Sequence, residues 1–97
     1  MNRTQILGLL AGRQQEIAAR YGVKGLALFG SAARDELGTS SDVDMLVEFA
    51  GPATFSAYMD LKFYLEDLLG RPVDLVTDKA LRQELRPYIE KEMIRVA

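Results

Sequence analysis

Two aspartates two positions apart, Asp42 and Asp44, begin an apolar run that continues to Phe49. Side chains alternate across a β-strand, so this spacing places both carboxylates on one face. Two close carboxylates repel each other, and one of them stays protonated unless a cation lies between them. Asp74, in the short apolar run that begins at Val73, adds a third carboxylate if the two strands pair. Three oxygen ligands of this kind predict a Mg²⁺ or Mn²⁺ site.

A second group of polar residues precedes the aspartates, and ten residues separate Ser31 from Asp42. Gly30 allows close approach of the backbone, and the start of a helical turn presents free N–H groups to an anion. The Ser31 hydroxyl adds a donor, and Arg34, one helical turn later, can reach the same anion with its forked guanidinium. We call Gly30, Ser31 and Arg34 the anion cradle. Together with a metal site, it indicates triphosphate binding and displacement at a phosphorus.

Composition restricts the chemistry that this chain can perform. At 97 residues the sequence predicts a single domain over 1–97, and its net charge of −2 argues against coating a nucleic-acid backbone. The chain has no cysteine and no histidine, which excludes thiolate zinc sites, cysteine nucleophiles and histidine acid–base chemistry. Catalysis must therefore use carboxylates, hydroxyls, lysine or arginine, with a hard cation.

No apolar stretch approaches the ~20 residues that a membrane-spanning helix needs, so none is expected. The N-terminal segment has one basic residue before a short apolar patch and then becomes polar. We interpret it as a helix and not as a signal peptide. The expected location is the cytoplasm.

The apolar pattern predicts the order helix, strand, strand, helix, strand, helix. Thr4 is the expected cap of a first helix that ends at Tyr21 and Gly22, and Thr54 is the expected cap of the longest helix. Strands are predicted over 23–29, 42–49 and 73–76, a loop over 35–41, helices over 55–69 and 81–85, and a further turn from Pro87. This order predicts an α/β (α+β) fold with a small mixed β-sheet covered by helices.

The stretches LFGSAAR, SDVDMLVEF and LLGRPVDLV carry a resemblance to a known family. Gly-Ser, ten residues, Asp-x-Asp and a later Asp resemble the polymerase-β-like nucleotidyltransferase superfamily. The short chain is similar to its minimal nucleotidyltransferase (MNT) domains, from Val23 to the C-terminus. One departure is Asp35, where many relatives carry glycine. It concerns the geometry of the loop more than the chemistry.

The resemblance implies a nucleotide triphosphate held with Mg²⁺, a hydroxyl that attacks its α-phosphate, and release of pyrophosphate. Asp42 and Asp44 would ligate the metal. Asp74 would complete the site and help to activate the attacking hydroxyl. Gly30 and Ser31 would hold the β- and γ-phosphates.

MNT proteins are similar to antitoxins whose partner is a HEPN-domain ribonuclease toxin. The resemblance therefore implies AMP transfer from ATP to a hydroxyl of that toxin, with tyrosine as the expected acceptor. No membrane and no direct nucleic-acid binding are expected. Two alternatives stay open, a non-catalytic antitoxin that neutralises by direct binding and a nucleotidyltransferase that modifies a small molecule.

The same residues also have purely structural interpretations. Asp42 could cap a turn after two serines, and Gly30 with Ser31 could form an ordinary strand-to-helix turn. Asp74 could face water from an edge strand. The C-terminal stretch 88–94 mixes apolar and charged residues, so it could close the core or dock a partner.

Overall fold

The computed structural model describes residues 1–38 and 41–96, so Thr39 and Ser40 of the predicted loop lie outside the described residues. The described elements, in chain order, are α1 (Arg3–Ala11), α2 (Gln14–Tyr21), β1 (Val23–Phe29), α3 (Gly30–Ala33), β2 (Val43–Phe49), α4 (Phe55–Leu69), β3 (Val73–Thr77), a 3₁₀ turn (Asp78–Ala80), α5 (Arg86–Glu92) and β4 (Ile94–Arg95). Within the described residues, no helix has the length and apolar character needed to cross a membrane.

The four strands form one sheet in the order β3-β2-β1-β4. β2 runs parallel to β3 and antiparallel to β1, so the sheet is mixed, as predicted. The short β4 pairs antiparallel with Ala27 and Leu28 of β1 and was not predicted. Two residues are too few to show an alternating pattern, so only the docking of the chain end onto β1 reveals this strand.

One face of the sheet carries the main core, and we call this face the closed face. Helices α1, α2 and α4 contribute buried residues to it, and alternate residues of the strands complete it. Its largest fully buried side chains are Ile6, Leu10, Ile17, Leu26, Leu28, Met45, Leu61, Leu65, Val43 and Val47. The opposite face has a smaller apolar cluster built on Ala27, Leu46 and Leu81, and we call it the open face.

The predicted single helix over 4–21 is wrong, because the chain forms two helices that separate at Gly12 and Arg13. Glycine lowers helix propensity, and the break lets both helices turn apolar residues toward the core. The cap is Asn2 and not Thr4: its side chain accepts from the Gln5 N–H, and the Gln5 side chain accepts from the Asn2 N–H. This reciprocal capping box was legible in the spacing of Asn2 and Gln5.

Three other predicted helix ends, at Gly22, Thr54 and Gly70, are confirmed. Gly22 and Gly70 follow α2 and α4 in the left-handed conformation, with φ of 65° and 66°. The Thr54 side chain accepts from the Ala57 N–H at 3.0 Å and starts α4. These caps depend on neighbours in sequence, which is why the sequence alone revealed them.

The helix predicted over 81–85 is wrong, whereas the further turn predicted from Pro87 is confirmed as α5, which begins at Arg86 and has Pro87 in its first turn. Proline suits that position, since its missing N–H would have no partner there. Thr77 starts the 3₁₀ turn, where its side chain accepts from the Ala80 N–H at 3.3 Å. Arg86 Nη1 binds Asp78 Oδ1 at 2.9 Å and so fixes the start of α5 against this turn.

Candidate functional site

Two of the predicted acidic residues meet on the open face of the sheet. Asp44 and Asp74 are direct partners in the parallel register of β2 and β3. Asp44 also lies opposite Phe29, the last residue of β1 before Gly30. Asp42 stands one residue before β2. The topology therefore brings the Asp-x-Asp pair, the third aspartate and the glycine–serine turn to the same end of three adjacent strands.

The charges at this end of the sheet act on one another. Asp44 is half-buried, whereas Asp42 and Asp74 are exposed. Burial raises the pKa of Asp44, and the negative charges of Asp74 and Asp42 raise the same pKa further, while Arg34 opposes them. This is the repulsion expected of carboxylates that share a site.

Within residues 1–38 and 41–96, no three acidic side chains form a ready-made metal site. The negative charges of Asp74 and Asp42 nevertheless both act on Asp44 and raise its pKa. An oxygen-only donor set suits a hard divalent cation, and such a cation would relieve the repulsion at Asp44. The three metal ligands stay a prediction.

Gly30 sits directly against the central carboxylate. Its φ is +67°, a conformation that other residues rarely adopt. A Cβ added there would lie 3.0 Å from Asp44 Cγ and still closer to Oδ2. Glycine is therefore required for two independent reasons, and it places the backbone of the turn beside Asp44.

The groups of the anion cradle already have a carboxylate partner that sequence analysis missed. Glu92 of α5 accepts from the Gly30 N–H at 3.1 Å through Oε1 and from Arg34 Nη1 at 2.8 Å through Oε2. Its hydrogen bond and charge raise the pKa of Arg34, and Glu36 at 3.6 Å adds to this. Glu92 is 62 residues from Gly30, so no local pattern could reveal the contact.

Asp35, the one departure from the family pattern, has a backbone conformation that glycine adopts easily. Asp35 has a φ of 59°, which explains why glycine would suit this position. Aspartate tolerates the left-handed conformation better than most residues. Its Oδ1 accepts from the Arg3 N–H at 2.9 Å, and Arg3 Nη1 donates to the Ala33 carbonyl at 3.0 Å. The loop after the cradle is thus fastened to α1.

Asp74 lies on an edge strand and faces water, as its structural interpretation required, but it also stands beside Asp44. Glu48 lies four residues along β2 from Asp44, or about 13 Å, so the structure does not bring this carboxylate to the site. A cavity of about 560 Å³ opens at that far end, lined in part by Lys24, Glu48 and Lys79. This cavity is remote from the aspartates.

Comparison with known proteins gives the family that the sequence motifs resemble. A family model described as a nucleotidyltransferase domain matches residues 13–96. The protein adenylyltransferase MntA of Thermococcus cleftensis is 35% identical over 92 residues, covering 95% of this chain and 93% of that protein.

Solved structures share the fold. One, provisionally described as a minimal nucleotidyltransferase, aligns with a TM-score of 0.83 at 35% identity and covers 97% of this chain and 95% of that one. A chain from the complex of a tri-AMPylated Shewanella oneidensis HEPN toxin with an MNT antitoxin aligns with a TM-score of 0.68 at 19% identity, over 94% of this chain and 71% of that one. At that identity the likeness concerns the fold alone. On the sequence match over most of its length, this chain belongs to the nucleotidyltransferase domain family.

Proposed function

We propose that residues 1–97 act as one minimal nucleotidyltransferase domain that transfers AMP from ATP to a tyrosine hydroxyl of a HEPN-domain ribonuclease toxin. The observation that carries this proposal is the meeting of Asp44, Asp74 and Gly30 at one end of the sheet. The Thermococcus relative is named a protein adenylyltransferase, and the Shewanella complex contains an AMPylated HEPN toxin. The first name supports a protein as the acceptor, and the second supports a HEPN toxin as that protein.

In the proposed reaction the acceptor oxygen attacks the α-phosphorus of ATP. The bond from that phosphorus to the bridging oxygen of the β-phosphate breaks, pyrophosphate leaves, and AMP stays esterified to the acceptor. Asp74, which is exposed on the edge strand, takes the hydroxyl proton. The Gly30 N–H, the Ser31 hydroxyl and the Arg34 guanidinium hold the β- and γ-phosphates.

Enzymes of this family use a divalent metal with the nucleotide. We propose Mg²⁺, with Asp42, Asp44 and Asp74 as its ligands, where it would offset negative charge on the α-phosphate and the departing pyrophosphate. We also place the reaction in the cytoplasm, where ATP and a ribonuclease toxin with its RNA substrates meet.

The test is to incubate the purified chain with MgCl₂, labelled ATP and a HEPN protein, and to measure the intact mass of the HEPN protein. We expect a gain of AMP units on a tyrosine, lost in Asp42→Asn/Asp44→Asn. The matched control is Asp60→Asn/Asp67→Asn, which removes the same charge from two exposed positions of α4. Equal transfer by the Asp42/Asp44 variant would disprove the enzyme proposal.

A second candidate function is neutralisation by direct binding, favoured by two apolar side chains that α5 and the residue before it expose. Leu85 is 48% exposed and Tyr88 is 73% exposed. Large apolar groups left in water on a short segment are typical of a docking surface. A stable complex without a change in mass, lost in Leu85→Ser/Tyr88→Ser, would support this function over AMP transfer.

A further inference from the structure

Glu92 occupies the donors that the proposed function assigns to phosphate. Its two carboxylate oxygens accept from the Gly30 N–H and from Arg34 Nη1, at 3.1 and 2.8 Å. A phosphate group would also offer two oxygens to these two donors. The Glu92 carboxylate and a phosphate are both anions that accept hydrogen bonds from the same two donors, so they cannot bind there together.

This contact is not what holds α5 in place. The ion pair is open to water, with the Arg34 side chain 48% exposed and that of Glu92 30% exposed. Exposed ion pairs stabilise a fold weakly, so solvent or a ligand can displace them. The position of α5 depends instead on apolar packing, because Ile89, and Met93 just after the helix, pack against the apolar cluster of the open face.

The location of Glu92 is also unfavourable for a purely structural carboxylate. It stands near a group of aspartates that already repel one another, and its charge adds to the field at Asp44. A glutamine, or a solvent-facing rotamer, would avoid that repulsion. The contact of Glu92 with Gly30 and Arg34 can therefore break when another anion binds the same donors.

We propose that Glu92 is an internal competitor of the nucleotide, which must release Gly30 and Arg34 before the β- and γ-phosphates can bind. This inference rests on the proposed function, since it assigns those two donors to ATP. Glu92 then sets nucleotide affinity, because only the molecules in which its side chain has left the cradle are competent to bind.

The expected gain in ATP affinity depends on the fraction of molecules in which Glu92 occupies the anion cradle. The apparent dissociation constant equals the intrinsic one divided by the competent fraction. If Glu92 fills the cradle in about 80–90% of molecules, its removal tightens ATP binding about five- to tenfold. AMP lacks the β- and γ-phosphates, so its affinity should change less than about twofold.

The experiment is calorimetric titration of ATP with MgCl₂, and separately of AMP, into the wild type, Glu92→Gln and Glu92→Ala. Glutamine keeps the shape without the charge, and alanine removes the acceptor, so one variant remains informative if the other folds poorly. Glu90→Gln is the matched control. It removes a carboxylate from the same helix, but that carboxylate pairs with Arg86 and not with the anion cradle. The ¹⁵N–¹H resonance of Gly30, expected to shift most in Glu92→Ala, which removes the acceptor, reports the release of this donor directly.

The inference is supported if both Glu92 variants bind ATP more tightly, AMP affinity stays constant and Glu90→Gln behaves as wild type. Unchanged or weaker ATP binding in both Glu92 variants would overturn it, as would an equal gain for AMP or for Glu90→Gln. Those results would leave AMP transfer by the wild type intact. A wild type and variants that bind no ATP would instead remove the proposed function and this inference with it.

Discussion

The two faces of the sheet differ although they are built from the same strands. Along β2, Val43, Met45 and Val47 are wholly buried on the closed face, while Asp44 between them points to the open face. A step of one residue therefore separates a side chain that stabilises the fold from one placed for chemistry. The closed face completes the core without the charged residues of the open face. The open face can therefore hold charges that repel one another.

The open face is also less completely covered. Its apolar cluster has three buried members, Ala27, Leu46 and Leu81, and it packs with Ile89 of the seven-residue α5. We therefore expect substitutions on the closed face to lower stability the most. Substitutions among the charges of the open face should affect stability least, and the following predictions, ordered by the change in free energy of unfolding, test that contrast.

The largest loss is expected for Met45→Ala on the closed face. Met45 is fully buried, so its truncation leaves a cavity and should lower the free energy of unfolding by about 3 kcal/mol. Urea unfolding measures this loss. The folded fraction should bind ATP as the wild type does, and a specific loss of ATP binding would contradict the separation of the two faces.

Gly30→Ala should lower the free energy of unfolding by about 2 kcal/mol, because alanine is strained at positive φ and its Cβ meets Asp44. Gly51→Ala is the matched control, since an added Cβ there meets nothing within 4 Å. Thermal unfolding of both variants, with ATP titration of each, measures the effects. Equal stability of the two variants would show that Gly30 does not hold the turn against the carboxylate.

Leu46→Ala tests the open face itself. Its side chain is buried, but its cluster is small and shallow, so we expect a loss of about 1.5 kcal/mol, below the usual range for a large core. Urea unfolding beside Met45→Ala gives the comparison directly. A loss as large as that of Met45→Ala would mean that both faces support the fold equally.

Asp44→Asn should raise the free energy of unfolding by about 0.5 kcal/mol at pH 7 without metal, a small value because solvent screens a half-exposed carboxylate. The native pKa of Asp44 lies above its ordinary value of 3.8, so its ionisation favours the unfolded chain. Protonated Asp44 favours the folded chain. This contribution to stability is complete below about pH 3.8 and is lost as pH rises through the native pKa of Asp44.

Urea unfolding at pH 7 and pH 4 tests this sign, because the advantage of Asp44→Asn should grow between pH 4 and pH 7. MgCl₂ should then stabilise the wild type and leave Asp44→Asn unchanged. A variant less stable than the wild type at pH 7, without metal, would show that Asp44 is held by attraction and not by repulsion.

Much of the fold follows from local pattern. The first three strands, the caps at Gly22, Thr54 and Gly70, and the mixed sheet were predicted and are confirmed, because alternation and capping involve neighbours in sequence. The errors lie where local signals compete. Gly12 breaks a helix whose apolar spacing continues through it, and no helix forms over 81–85, although the turn predicted from Pro87 does form as α5.

By itself, the sequence determined which residues could do chemistry. The Asp-x-Asp spacing sets a common face, and the lack of histidine and cysteine leaves oxygen ligands. Only the tertiary structure decided which of them meet, because the pairing of β2 with β3 aligns Asp44 with Asp74 across thirty residues of chain. It alone placed Glu92 on Gly30 and Arg34, since a contact between distant segments depends on how helices dock onto the sheet and leaves no periodic trace in the sequence.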